Sequence, residues 1–358
     1  MSTKTSDGSS DPGPANELSL GCMIDRIARA TAAYPYKVWG FGESIAMEGL
    51  LAAGGEHHAV AARLVDGWAC ERGPLAADPL AHVAPGVPLL ERFRETGEPR
   101  LLARARELGD VLTSTGIGSH GARIHRPDLS GWEHEVWVDC MHLDGPFLAR
   151  LAVVTGDDRW RVLAAEVLLS HARVLQDDRG GLFSHGFDDA GGQPNGVFWG
   201  RGQGWAMLGL VDTIPLLPPG PGRAEAEQRV RALVDGLAAT AVETATGFAW
   251  HTVVDHPETY VEPSIAAFVA LGVGRGLRAG LLDGRHAALA DRAWAEVVAG
   301  LDADGRLIGV SDATPVGADA DRYRARGRGV FPWGQGPALL AAIAVRPMSA
   351  PGGDQING

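Results

Sequence analysis

The sequence is short of cysteine, of net positive charge and of long apolar runs, and each shortage removes a class of protein. Three cysteines, Cys22, Cys70 and Cys140, are scattered over 358 residues. They supply neither a disulfide framework nor a CxxC zinc site, so a reducing compartment, the cytoplasm, is the expected location. Lys and Arg number 32 against 44 Asp and Glu, a formal charge of −12. Nucleic acid and anionic membranes reward clustered cations, so neither is expected as a partner. A membrane-spanning helix needs about 20 consecutive apolar residues. The best runs, Ser264 to Gly274 and Pro337 to Val345, are far shorter and read as buried helices. Met1 to Asn16 lacks the apolar stretch of an export signal. Its Ser, Gly, Pro and Asp, and the similar composition of Ser349 to Gly358, predict disordered tails over 1–16 and 349–358 around one folded body at 17–348.

That body is 45% apolar and 21% charged over the whole chain, the composition of a packed globular protein. Apolar residues recur at helical rather than alternating spacing. Leu101, Leu102, Ala105, Leu108 and Leu112 form one stripe, and Val162, Leu163, Val167, Leu168, Ala172 and Leu175 another. Four stretches share one design: an apolar helix end, a glycine, an acidic or polar residue, then a new amphipathic helix. They are Leu51 to Trp68, Phe93 to Leu112, Val153 to Leu175 and Leu281 to Val297, marked by Gly55, Gly97, Gly156 and Gly284. Glycine suits the left-handed position that closes a helix, and an acid suits the next N-terminus. The interval between the last two markers leaves room for a further pair around Pro218 to Ala238. Repeated helical hairpins form either an open solenoid or a closed toroid. The irregular repeats and the long Gly-, Trp-, His- and Asp-rich stretches between them favour the toroid, an all-α (α/α)6 barrel of six hairpins with functional loops.

Ten tryptophans stand against four tyrosines. Trp132, Trp137, Trp199 and Trp205 fall in two segments, Gly131 to Arg150 and Gly181 to Trp205, that also hold most of the candidate acids and bases. Flat apolar rings beside planar hydrogen-bonding groups suit a pyranose, which has an apolar face and a polar rim. Asp139, in WVDCMHLDGPFL, precedes a strongly apolar helix. There it is either a partly desolvated proton donor or a helix N-cap. Asp144, before Gly-Pro, reads as a turn or cap residue. Arg201, in WGRGQGW, is either a bidentate partner for an acidic sugar or paired with an internal acid. His185 lies in a loop, LFSHGFD. The GxGxG spacing of Gly200 to Gly204 lacks a strand–turn–helix context. His57-His58 and the pair His251 and His256 lack metal-ligand spacing, and there is no GxSxG elbow.

Three blocks, WVDCMHLDGPFLARLAVVTGDDRW (Trp137 to Trp160), LLSHARVLQDDRGGLFSHGFDD (Leu168 to Asp189) and WGRGQGWAMLGLVD (Trp199 to Asp212), carry a resemblance. Weaker blocks at Trp39 to Ala53, Ala84 to Arg100 and Tyr260 to Asp283 extend it through most of the body. The chain resembles the unsaturated glucuronyl and rhamnogalacturonyl hydrolases, glycoside hydrolase families 88 and 105, most closely 105. The resemblance implies an (α/α)6 barrel and hydration of the 4,5 double bond of a non-reducing-end unsaturated uronic acid, with release of the neighbouring sugar. It implies Asp139 as the catalytic acid and base, and no metal or organic cofactor. His185, Trp199, Arg201 and Trp205 match substrate-pocket positions, and His134, His125 and Trp39 fall near others. The implied partner is an oligosaccharide ending in an unsaturated uronic acid, bound by a monomer or homodimer.

The chain departs from the family pattern at one stretch. Where the family carries D-x-I-N-x-G, Leu80 to Gly86 reads LAHVAPG, so that Ala81 stands for the Asp and Ala84 for the Asn, with Asp78 three residues earlier. Two other functions therefore stay in view. One is another (α/α)6 sugar enzyme, an epimerase or an inverting glycosidase with carboxylates about 6.5–9.5 Å apart. The other is a sugar-acid-binding protein without turnover.

Overall fold

The helical periodicity is realised almost throughout a computed structural model, which describes residues 14–36, 40–77 and 85–345. Each glycine-marked stretch folds as a hairpin: α2 (Phe41–Ala53) with α3 (Gly55–Glu71), α4 (Gly86–Thr96) with α5 (Pro99–Ser114), α6 (Cys140–Thr155) with α7 (Arg159–Leu175), and α10 (Pro263–Arg278) with α11 (Ala287–Gly300). The pair expected around Pro218 to Ala238 is α8 (Gly200–Thr213) with α9 (Pro221–Ala239). Gly97 and Gly156 close α4 and α6 at φ 67° and 69°, left-handed positions that an L side chain adopts only with strain.

The sixth pair joins the two ends of the chain. Helix α13 (Pro332–Val345) packs on α1 (Pro14–Ala32) and on α2. Helices α2, α4, α6, α8, α10 and α13 each touch the next, and α13 returns to α2, so the inner ring is closed and the open solenoid is excluded. The expected (α/α)6 toroid is the observed fold. Of the expected tails, residues 1–13 and 346–358 lie outside the described residues. Pro14–Asn16 belong to the first turn of α1, earlier than the expected boundary at residue 17.

Inner and outer helices differ as their sequences require. Nearly every residue of α8 is buried, as expected of a helix apolar all round. Outer α5 buries only the stripe Leu101, Ala105, Leu108, Gly109 and Leu112. Inner helices approach closely where side chains are small: a Cβ on Gly209 of α8 would stand 2.5 Å from the Met141 carbonyl of α6. No helix among the described residues is long and apolar enough to cross a membrane.

The two ends of the ring are unequal. Short turns join inner to outer helices at the rear, where the inner helices end. At the front, where they begin, longer segments carry short strands. A three-stranded antiparallel sheet forms from β1 (Glu135–Trp137), β2 (Gly186–Asp188) and β3 (Gln193–Pro194), with Val136 opposite Phe187. Between α9 and α10 lies the pair β4 (Val242–Glu243) and β5 (Phe248–Ala249). Beyond α11 come β6 (Val310–Ser311), α12 (Ala320–Arg324) and β7 (Arg328–Gly329). Six helix N-termini, each with a positive dipole end, thus face one opening.

Candidate active site

The front sheet brings two distant segments together. Trp137 of β1 pairs with Gly186 of β2, and the Val138 N–H donates to the His185 carbonyl at 3.0 Å. Asp139 and His185 therefore meet at the N-terminus of α6. Asp139 is 4% exposed, has helical backbone angles (φ −56°, ψ −35°) and makes no side-chain capping bond. Asp139 thus stands at the N-cap position of α6 without its side chain capping the helix. Its Oδ2 lies 3.3 Å from Nε2 of the fully buried His185, close enough for an ion pair but not aligned as a hydrogen bond. Burial holds His185 below the ordinary imidazole range, although Asp139 pulls the other way.

Aromatic rings surround the pair. His125 stacks on Trp137 with centroids 4.0 Å apart, and Trp132 leans on both. Trp137 in turn flanks His185, whose other side faces Trp199 (4.2 Å) and Tyr323. Trp205 lies deeper in α8, stacked on His142 of α6 and edge-on to Phe268. Burial pushes His142 down to about 4. The Trp199 Nε1, Trp205 Nε1 and His142 Nδ1 atoms, like Asp139 Oδ2 and His185 Nε2, are buried without a hydrogen-bond partner. Each such group costs about 1–3 kcal/mol if nothing answers it. Five of them, at the front of α6 and α8 and on the loop that carries His185, mark a place suited to receive polar groups.

Arg201 realises the second of its two expected readings. Its NH1 donates to Ser311 Oγ (2.6 Å) and the Ser311 carbonyl (3.2 Å), and lies 3.4 Å from Glu262 Oε1. Its NH2 donates to the Asp312 carbonyl (2.8 Å) and Thr314 Oγ1 (3.1 Å), and the guanidinium sits 4.5 Å over the Trp199 ring. With these donors engaged, Arg201 is a fixed positive charge rather than a free fork. Glu262, the other buried carboxylate here, also accepts from Ser311 N and Ser264 Oγ.

His125 lies in the aromatic cluster against Trp137, whereas His134 is exposed ahead of β1 and its carbonyl accepts from Asp189 N. Trp39, Asp78, Ala81 and Ala84 lie outside the described residues. Asp144 corrects the turn-or-cap expectation. It is buried inside α6, with Oδ2 3.1 Å from Nε of the equally buried Arg123, again without hydrogen-bond alignment. Burial raises Asp144 to about 6 despite that neighbour. Burial also raises Cys140, leaving an inert thiol 3.8 Å from His125 Nδ1. Among the described residues one trio with ligand-like spacing, Asp25, Glu56 and His57, lies on α1 and α3 outside the site. There His57 Nε2 is already hydrogen-bonded to Asp25 at 2.9 Å.

The sequence reading missed Tyr323, Glu262 and Ser311. Glu262 lies within the block Tyr260 to Asp283, where the pattern VEP before an apolar helix was its only signal. Tyr323 is fully buried on short α12, and no periodicity or motif marks it.

Residues 33–349 match the model for Glycosyl Hydrolase Family 88. The unsaturated rhamnogalacturonyl hydrolase YesR of Bacillus subtilis (strain 168) is 25% identical over 338 residues, 90% of this chain and 94% of that protein. A possible GH105 family member from Salmonella enterica serovar Paratyphi A superposes with a TM-score of 0.79 at 21% identity, covering 95% of this chain and 96% of that one. The unsaturated glucuronyl hydrolase of Bacillus sp. GL1 gives 0.71 at 15% identity, over 93% and 97%.

Proposed function

The chain belongs to glycosyl hydrolase family 88, and from that premise we propose that it hydrolyses oligosaccharides ending in a 4,5-unsaturated uronic acid, with Asp139 as general acid and base. One observation carries the assignment of the acid: a buried carboxyl at the mouth of the ring, uncapped, with an unpartnered oxygen beside His185 and among aromatic faces.

The chemistry follows from that geometry. The Asp139 carboxyl protonates C4, and electron density leaves the double bond, so positive charge develops at C5 and on the ring oxygen. The Asp139 carboxylate so formed stabilises that charge and takes a proton from the water that adds at C5. The C5 hemiketal opens to a ketone, and the hemiacetal left at C1 collapses, releasing the neighbouring sugar with its hydroxyl proton. Atoms balance with one water consumed. The substrate carboxylate is drawn by six positive helix ends and by the fixed charge of Arg201, while Trp199 and Trp137 supply flat faces for the planar ring.

The conjugated acid absorbs in the ultraviolet, and hydration removes that absorbance. Lyase-generated oligosaccharides from rhamnogalacturonan, pectin, ulvan and glycosaminoglycans are the panel, and loss of signal on at least one is expected, with a 4-deoxy-5-keto uronate seen by NMR. Signal intact across the whole panel overturns the proposal.

A further inference from the structure

Tyr323 reaches the site from the segment between α11 and α13 that also holds Arg201 through Ser311, Asp312 and Thr314. Asp319 caps α12 by accepting from Arg322 N (3.1 Å), so the helix is fixed, and Tyr323 drives fully buried behind His185. Its hydroxyl lies 2.7 Å from His185 Nδ1, 3.0 Å from Gly317 N and 3.4 Å from Asn195 Nδ2. The Asn195 amide orientation is set by its other contacts: Oδ1 accepts from Gly186 N and Val197 N, and Nδ2 donates to the Gly317 carbonyl.

Proton accounting then leaves one arrangement. The Gly317 and Asn195 N–H groups can only donate, and they fill both lone pairs of the Tyr323 oxygen. Among the described residues the tyrosine proton has one acceptor in reach, His185 Nδ1, so the imidazole carries its own proton on Nε2. We propose that Tyr323 is a positioning residue: its O–H fixes His185 as the Nε2–H tautomer, so that an N–H rather than a bare nitrogen stands 3.3 Å from Asp139 Oδ2. The role rests on the reading of Asp139 given above.

The consequence reaches the reacting atoms. A donor N–H therefore faces the carboxyl on the Oδ2 side before and after proton delivery. After delivery to C4 the new carboxylate keeps the Nε2–H beside it, and no proton need move along the Tyr–His chain. Burial keeps His185 neutral and Tyr323 protonated, as the arrangement requires.

Histidine-selective 15N NMR of the full chain tests this directly, with the His185 signals assigned by their loss in His185→Gln. Wild type is expected to show a protonated Nε2 and a bare Nδ1, and Tyr323→Phe a shift of population towards Nδ1–H. The same variant is expected to lose about 10-fold in kcat with KM within about twofold, since one hydrogen bond of bias is worth roughly that factor. A wild-type spectrum showing Nδ1–H, or a Tyr323→Phe spectrum unchanged at His185, overturns the inference. The wild-type spectrum decides it even if the variant folds poorly. Absence of turnover on every unsaturated uronide would instead overturn the role of Asp139 and leave the tautomer to the spectrum.

Discussion

The front and rear of the ring both bury charge, yet only one end is built like a site. At the rear, Arg94, Arg150 and Arg275 meet Glu48, Glu91 and Asp212 around two adjoining cavities of about 520 and 510 Å3. Asp212 is paired with Arg275, and cations there answer the negative ends of the inner helices. Of those six groups only Glu48 leaves a buried oxygen unpartnered, and burial raises it to about 8, a neutral acid at neutral pH. At the front the helix ends are positive, one acid makes no capping bond, and unanswered nitrogens of two tryptophans and two histidines gather near it. Open volume and buried charge are therefore poor guides on their own. Polar atoms that the protein leaves unanswered, among rigid aromatic faces, separate the two ends.

The sharpest way to break this contrast is to neutralise one acid at each end. Asp139→Asn is expected to lower kcat about 10²–10⁴-fold, the range for loss of a general acid, with a thermal midpoint close to wild type. Glu48→Gln is expected to leave turnover within about twofold, because it touches nothing at the front, and to act only on stability. Ultraviolet assays of both variants on one substrate check the pair, and full activity in Asp139→Asn would erase the distinction. The next largest effect tests the frame under the front. Arg123 and Asp144 are 1% and 2% exposed, and removing one partner strands the other. Arg123→Met is expected to cost about 3 kcal/mol in urea unfolding. A loss below about 0.5 kcal/mol, the scale of ordinary surface changes, would show that water already serves both groups.

Much of the frame was legible because it is local. Stripes at helical spacing, glycines at helix ends and Pro221 at the start of α9 report hairpins without tertiary information. Front-end chemistry was legible where it is contiguous: Asp139, His185 and Trp199 each sit in a dense aromatic and polar segment. Three things were not. Asp144 reads as a turn because Gly145-Pro146 follows it, but α6 continues through that proline, with Gly145 close-packed on Thr213 of α8. Arg201 could not be assigned a partner, since its acid lies 61 residues away on another hairpin. Tyr323 lies 138 residues from His185, in a stretch whose placement depends on α12 folding over the ring's mouth. Pairings of that range leave no periodic trace.

A last comparison sharpens the rear half through pH. Burial, aided by Glu91 and opposed by Arg150 and Arg275, raises Glu48 from 4.5 to about 8. Between those values the folded protein keeps a proton that the unfolded chain has released. Stability at this residue therefore falls as pH rises through the window, and the loss is complete above about 8. Glutamine cannot ionise, so Glu48→Gln removes that slope. Urea midpoints of wild type and variant are expected to be nearest at the acid end, close to 4.5, and to diverge towards pH 8 with the variant the more stable. Glu91 is raised by the same burial and keeps part of the wild-type slope in the variant, so the gap between the two curves, not either curve alone, isolates Glu48. Parallel curves would mean that Glu48 is already ionised and matched by Arg150 and Arg275. The rear would then be a fully answered ion network, and the front the one end that keeps an acid waiting for a ligand.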